Sequence, residues 1–171
     1  MVLCSRVSCG HIRYCITYNN LLNFNVYIGE NTISFEVPGT LGVIVDFSVW
    51  NQNYAAKTGY YPLVKPTDLN QLNNDQRAFL VIESENELPE NLTNFPQLVL
   101  VLKTDYSNKT QIFRKVYIDL LRRKLDIPVI LKIDNQLMDA EKFQLYVSSD
   151  CGSLFIDGFG DGLWLKGRQP M

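Results

Sequence analysis

Five short apolar segments recur along the chain, and none of them alternates polar with apolar residues. They are Leu41–Val49 (broken by Asp46 and Ser48), Ala78–Ile82, Leu98–Leu102, Val129–Ile133 and Ser153–Ile156. A strand with one face in water shows a period of two; an unbroken apolar run is the mark of a strand covered on both faces, as in parallel sheets. Helical patterns fill the intervals. Over Thr110–Leu125, residues Ile112, Phe113, Val116, Tyr117, Leu120 and Leu121 form one apolar face, and Arg122, Arg123 and Lys124 close the last turn, where cations suit the helix dipole. Pro128 stops that helix and opens the next strand. Asp139 is placed to cap a second helix that carries Phe143, Tyr146 and Val147 and stops at Gly152, and Thr67 to cap a shorter one. Strands alternating with helices imply right-handed βαβ units.

Ahead of this repeat the texture differs. Phe24–Val37 reads as two short alternating runs around a turn at Gly29–Asn31, a β-hairpin signal closed by Pro38-Gly39. The chain has 171 residues, whereas a full (β/α)₈ barrel takes about 250. The expected fold is therefore α/β: an incomplete, TIM-barrel-like βα repeat of parallel strands, preceded by a β-hairpin. An open doubly wound sheet is the runner-up. Residues 24–171 form one α/β domain in this reading, and residues 1–23 a linker or divergent N-terminal segment.

Several function classes are disfavoured. A net charge of −2 gives no basic field for a phosphate backbone, so nucleic acid is not an expected partner. No apolar run nears the roughly 18–20 residues needed to cross a bilayer, and Arg6, His11, Arg13 and Asn19 interrupt any signal-peptide core, so the expected location is cytoplasmic, with no membrane partner. Cys4, Cys9 and Cys15 flank His11, but their spacing lacks the paired ligands of structural zinc, and unrelated reduced cysteines, Cys151 included, are the simpler reading. Neither a metal site nor a catalytic triad on the single histidine is expected. No Gly-x-Ser-x-Gly, His-Glu-x-x-His or Gly-Lys-Ser/Thr motif occurs.

Two constellations remain. Polar residues stand where strands should end: Glu83, Thr104 with Asp105, Asp134 and Asp157. In parallel α/β folds that end faces the site, so Glu83, Asp134 and Asp157 could serve a free-standing enzyme as acid–base carboxylates; helix caps and turn residues are the plainer interpretation. The second is the glycine-rich Asp157-Gly158-Phe159-Gly160-Asp161-Gly162. Such a loop turns tightly or lets a group approach closely. Its third glycine falls too early for a dinucleotide fingerprint, and Leu163-Trp164-Leu165 after it looks extended, not helical. Asp157, Gly158, Gly160, Asp161 and Gly162 are thus a possible functional loop.

The stretch from Phe143 through Gly152-Ser153-Leu154-Phe155-Ile156-Asp157-Gly158-Phe159-Gly160-Asp161-Gly162 resembles the close of the insertion domain in long-form 4-hydroxy-3-methylbut-2-enyl diphosphate synthase. Val26-Tyr27-Ile28-Gly29, Ile33-Ser34-Phe35, Val45–Trp50, Tyr61-Pro62-Leu63, Leu98–Lys103 and Pro128-Val129-Ile130 agree with it, so the similarity covers about residues 24–166. The resemblance implies an isoprenoid-pathway oxidoreductase that reductively opens 2-C-methyl-D-erythritol 2,4-cyclodiphosphate. Its substrate site lies on a separate barrel and its [4Fe–4S] cluster in a cysteine-bearing domain. On that reading this segment is a non-catalytic structural and docking domain, inactive alone. It has no catalytic residue, metal or cofactor of its own, and its partners are the neighbouring barrel and iron–sulfur domains of the same polypeptide. An unrelated interaction domain is the remaining alternative.

Overall fold

The computed structural model describes residues 13–17, 24–30, 41–83, 87–135 and 139–167. Eight strands form one closed barrel in sequence order. They are β1 (Arg13–Thr17), β2 (Phe24–Gly29), β3 (Leu41–Asp46), β4 (Tyr60–Val64), β5 (Ala78–Glu83), β6 (Leu98–Lys103), β7 (Val129–Asn135) and β8 (Gly162–Gly167). From β2 to β8 every neighbouring pair is parallel. β1 runs against both its neighbours, through Arg13↔Tyr27 and Cys15↔Asn25 on one side and Cys15↔Trp164 and Thr17↔Gly162 on the other.

The parallel βα repeat is as the sequence predicts, and an antiparallel pair precedes it, formed by β1 with β2. The reduction falls on the connections, not on the ring. Among the described residues three crossovers carry an α-helix: α1 (Phe47–Asn53), α2 (Lys109–Arg122) and α3 (Ala140–Ile156). Short 3-10 segments at Pro66–Gln71 and Glu90–Asn94 do the same work after β4 and β5. Within the expected hairpin, the run at Phe24–Gly29 is β2 and takes β1 as its antiparallel partner; the second run, Thr32–Val37, lies outside the described residues.

Period-two geometry sorts the strand residues into an outer and an inner layer, the outer one continued over β2–β4 by Ile28, Val43, Val45 and Tyr60 against Trp50 and Tyr54. Leu80, Ile82, Leu98, Leu100, Leu102, Val129, Leu131 and Ile133 point outward and pack under Phe113, Tyr117 and Leu120 of α2 and Val147, Cys151 and Leu154 of α3. The alternate positions point inward: Ile44, Phe79, Val99, Val101, Ile130 and Trp164 fill the barrel with Tyr27, Tyr61, Leu63 and Val81. Both faces are therefore dry, which is why these strands read as continuous apolar runs.

Three local expectations are corrected. Ser153–Ile156 is no strand but the last turn of α3, which passes through Gly152 without a break and places Leu154 in the outer core. The run Leu41–Val49 ends as a strand at Asp46, because Phe47 begins α1. Lys65, not Thr67, takes the cap position of the first 3-10 segment, its N–H donating to Asp68 Oδ2 at 3.3 Å. The Asp139 cap holds, its carboxylate accepting from Lys142 N at 2.9 Å.

Candidate functional site: the charged mouth of the barrel

The seven parallel strands all end at one face, and a cavity of about 1040 Å³ opens there, lined by the last residues of β3, β4 and β5: Asp46, Val64 and Glu83. Loop carboxylates Glu30, Asp68 and Glu87 join its wall, with Lys65 the one cation lining it among the described residues. In parallel barrels this face carries function and the opposite face carries stability.

Continuing the inward alternation past the apolar filling brings charge to this mouth. Beyond Ile44 comes Asp46, beyond Val81 Glu83, and beyond Val101 Lys103; beyond Ile130 come Lys132 and Asp134, and beyond Trp164 Lys166. Lys166 Nζ sits 3.0 Å from Asp134 Oδ2, both largely shielded from solvent. Lys103 Nζ is held more loosely, 3.8 Å from Glu83 Oε1 and 3.4 Å from Asp105 Oδ2. The Tyr27 hydroxyl donates to Asp46 Oδ1 at 2.7 Å. Deepest of the charges, Lys132 places its ammonium 4.3 Å from the Trp164 ring centroid and 5.9 Å from that of Tyr27. Each such contact is worth about 0.5–2 kcal/mol depending on desolvation. The Trp164 indole N–H is buried and has no hydrogen-bond partner among the described residues.

The structure thus brings Glu83 and Asp134 to one mouth, each facing a lysine. Asp157 stands elsewhere. It follows the C-terminus of α3, which runs back from the mouth, so it lies toward the opposite face, where its carboxylate pairs with Arg114 of α2. The glycine-rich loop is at that face too. Gly158 (φ 77°) and Gly160 (φ 105°) take backbone conformations that side chains resist, and a Cβ on Gly160 would come within 2.8 Å of the Phe155 ring. Phe159 stacks on Tyr117 with centroids 4.7 Å apart. Asp161 fastens the loop to the first residue of β7: its Oδ2 accepts from Val129 N at 2.9 Å, while its own N–H donates to Val129 O at 2.8 Å. Gly162 then begins β8. The strand-end reading also mentions Thr104, a buried residue whose hydroxyl accepts from Tyr106 N at 3.2 Å, turning the chain after β6.

Sequence reasoning passes over the lysines. Lys103, Lys132 and Lys166 each stand two residues beyond an inward apolar residue, a signal visible only once the inward register is known. The cysteine group Cys4, Cys9 and His11 lies outside the described residues, as does the side chain of Cys15. Among the described residues no group of three or more His, Cys, Asp or Glu side chains is arranged to hold a metal ion. Cys151 is a free, buried thiol whose pKa burial pushes up to about 12, with Asp150 adding to the rise. No helix among the described residues is long and apolar enough to cross a membrane.

Comparison with known proteins bears out the resemblance. Three curated proteins match, each named 4-hydroxy-3-methylbut-2-en-1-yl diphosphate synthase (flavodoxin). That of Parabacteroides distasonis is 28% identical over 82% of this chain, that of Protochlamydia amoebophila 35% over 50%, and that of Phocaeicola vulgatus 23% over 77%. The matches take up only 23%, 12% and 22% of those proteins, so the chain spans less than a quarter of the length of the curated relatives it matches. No family model matches the chain, and no solved structure matches it significantly.

Proposed function

We propose that this barrel is a non-catalytic structural and docking domain, inserted in a larger [4Fe–4S] 4-hydroxy-3-methylbut-2-enyl diphosphate synthase whose chemistry lies in the neighbouring barrel and iron–sulfur domains. Residues 24–171 are its body, with β1 contributed from the preceding segment. The observation that carries the reading is the direction of β1. Seven parallel strands alone would bring the chain in at one face and out at the other. The single antiparallel strand reverses the entry: Arg13 pairs with Tyr27 near the mouth, and Gly167 pairs with Asn135 at the same end. The chain therefore enters and leaves on neighbouring strands at one face, the arrangement that lets a domain sit within a host with little distortion.

The chemistry of the residues agrees. An iron–sulfur cluster needs several thiolates, and Cys151, the one cysteine whose side chain is described, is buried among apolar groups and held protonated. One buried, protonated thiol cannot hold a cluster, so the described residues offer no site for one; Cys4, Cys9, His11 and the side chain of Cys15 lie outside them. The carboxylates of the competing enzyme reading are divided between two faces, and those at the mouth face lysines. Anaerobic reconstitution with iron and sulfide tests the proposal: the chain should acquire no charge-transfer absorption and turn over no cyclodiphosphate. Stoichiometric cluster uptake would overturn it. Reading the native gene on both sides tests the insertion itself, which predicts a barrel-coding stretch before the segment and a cysteine-bearing domain after it.

A further inference from the structure

We infer that residues 140–149 of α3, presenting Leu145 and Tyr146, are the face by which this barrel docks, and that the part of the host polypeptide continuing from β8 covers it with an apolar patch of its own. The inference rests on the insertion reading and names the docking face that reading leaves open. Single apolar residues on a surface are ordinary; what sets these two apart is where they stand.

α2 and α3 both run back from the mouth, but they are not level. Thr110, at the start of α2, donates its hydroxyl to Asp150 O at 2.9 Å, and Arg114, one turn on, pairs with Asp157 just past the end of α3. Residues 140–149, about 15 Å of helix, therefore lie mouthward of the point where α2 begins. They form a ledge: from Glu141 to Ser149 only Val147 is buried, and Phe143 is half-buried. The outer side of such a helix in a free-standing barrel should be polar. Gln144, Ser148 and Ser149 obey that rule, whereas Leu145 and Tyr146 stand side by side, 71% and 55% exposed. The barrel side of α3 is already filled by Val147, Cys151 and Leu154, so the core needs neither residue. A tyrosine beside a leucine suits an interface core, the ring giving contact area and the hydroxyl reaching the wetter rim.

The strand register says what comes to this ledge. Gly167, the last residue of β8, pairs with Asn135, the last of β7, and α3 begins only five residues after Asn135. Five residues span at most about 18 Å, so whatever follows β8 emerges beside the start of the ledge. The other end of α3 provides the contrast. Ile156 is 87% exposed and just as apolar, but it lies toward the opposite face, away from the strand by which the chain leaves. Proximity to the host thus selects Leu145 and Tyr146 and leaves Ile156 open.

Hydroxyl-radical footprinting, read by mass spectrometry, compares the 171-residue chain with the product of the complete native gene. In the longer protein Leu145 and Tyr146 should be oxidised about fivefold more slowly or less, since the core of an interface is fully buried, while Ile156 keeps its rate. L145D places a charge in that apolar contact and should return Tyr146 in the longer protein to its rate in the 171-residue chain. In the 171-residue chain itself L145D should leave the urea midpoint unchanged, because the position is exposed. Equal oxidation of Leu145 and Tyr146 in the two proteins would overturn the inference and leave the insertion reading standing. Protection of Ile156 as strong as theirs would also overturn it, placing the host on the other face. A native gene with no coding sequence beyond this chain would overturn both.

Discussion

The reciprocal pair between Asp161 and Val129 is where the glycine-rich loop meets the barrel, and its strength can be worked out. Val129 is 1% exposed, and its N–H donates to the Asp161 carboxylate at 2.9 Å. Replacing Asp161 with alanine leaves that N–H at the start of a central strand with no acceptor, since β6 uses the neighbouring carbonyl of Pro128 instead. An orphaned buried donor costs about 1–3 kcal/mol, and hydrogen bonds to charged groups stand at the upper part of that range. D161A should therefore lose about 2–3 kcal/mol, and for a domain of this size each kcal/mol lowers Tm by roughly 2–4 °C. D161N keeps an acceptor oxygen and should recover at least half the loss. Urea unfolding followed by circular dichroism measures both, with an unchanged slope confirming that only stability has moved. The reasoning is refuted if D161A unfolds within about 0.5 kcal/mol of the parent, the scatter of neutral surface changes, or if D161N is as damaging as D161A.

Other outcomes follow from the same geometry. G160A should cost about 1–3 kcal/mol, because alanine resists the φ of 105° and its Cβ meets the Phe155 ring; calorimetry would show it. R114A, by contrast, removes a pair whose partners are 41% and 44% exposed and should cost no more than about 1 kcal/mol. In a chain with its other cysteines replaced by serine, Cys151 should resist alkylation at pH 8 until denaturant is added. Its raised pKa favours the protonated fold, so stability should decline as pH climbs from the ordinary thiol value of 9.0 towards about 12, where the folded thiol itself ionises. D139A should fray the first turn of α3, visible as faster amide exchange at Lys142. The parent should show the same fraying as pH falls below the carboxylate range, since the backbone N–H of Lys142 holds the Asp139 pKa down and protonation weakens the cap.

The strands buried on both faces were the easiest elements to read. Ala78–Ile82, Leu98–Leu102 and Val129–Ile133 lie between two dry layers, so their apolar runs are unbroken and their limits nearly match β5, β6 and β7. β4 is hard to read as a buried strand because it alternates buried and half-buried residues and contains Pro62. Ser153–Ile156 misled for a complementary reason: three large apolar residues after a glycine look like a strand, but only Leu154 is fully buried, and Ile156 is 87% exposed on the helix surface. The true stop of α3 is Gly158, whose positive φ ends the helix two residues later. At the candidate site, Glu83 and Asp134 were legible as strand ends. Their lysine partners were not, since which neighbour faces the lumen depends on register, a property of paired strands that one strand's sequence does not carry.

The antiparallel β1 also dictates the order in which the barrel can be built. Every parallel pair joins strands close in sequence, but the last seam joins a strand beginning at residue 13 to one ending at residue 167. The loop entropy of that contact is the largest in the ring. During synthesis β1 and β2 can pair early, yet until β8 emerges the sheet remains a curved ribbon with two unsatisfied borders. Each border is a template for a second chain. Folding should show a slow final phase that joins β1 to β8, and a variant weakened at that seam should form strand-exchanged dimers before it unfolds.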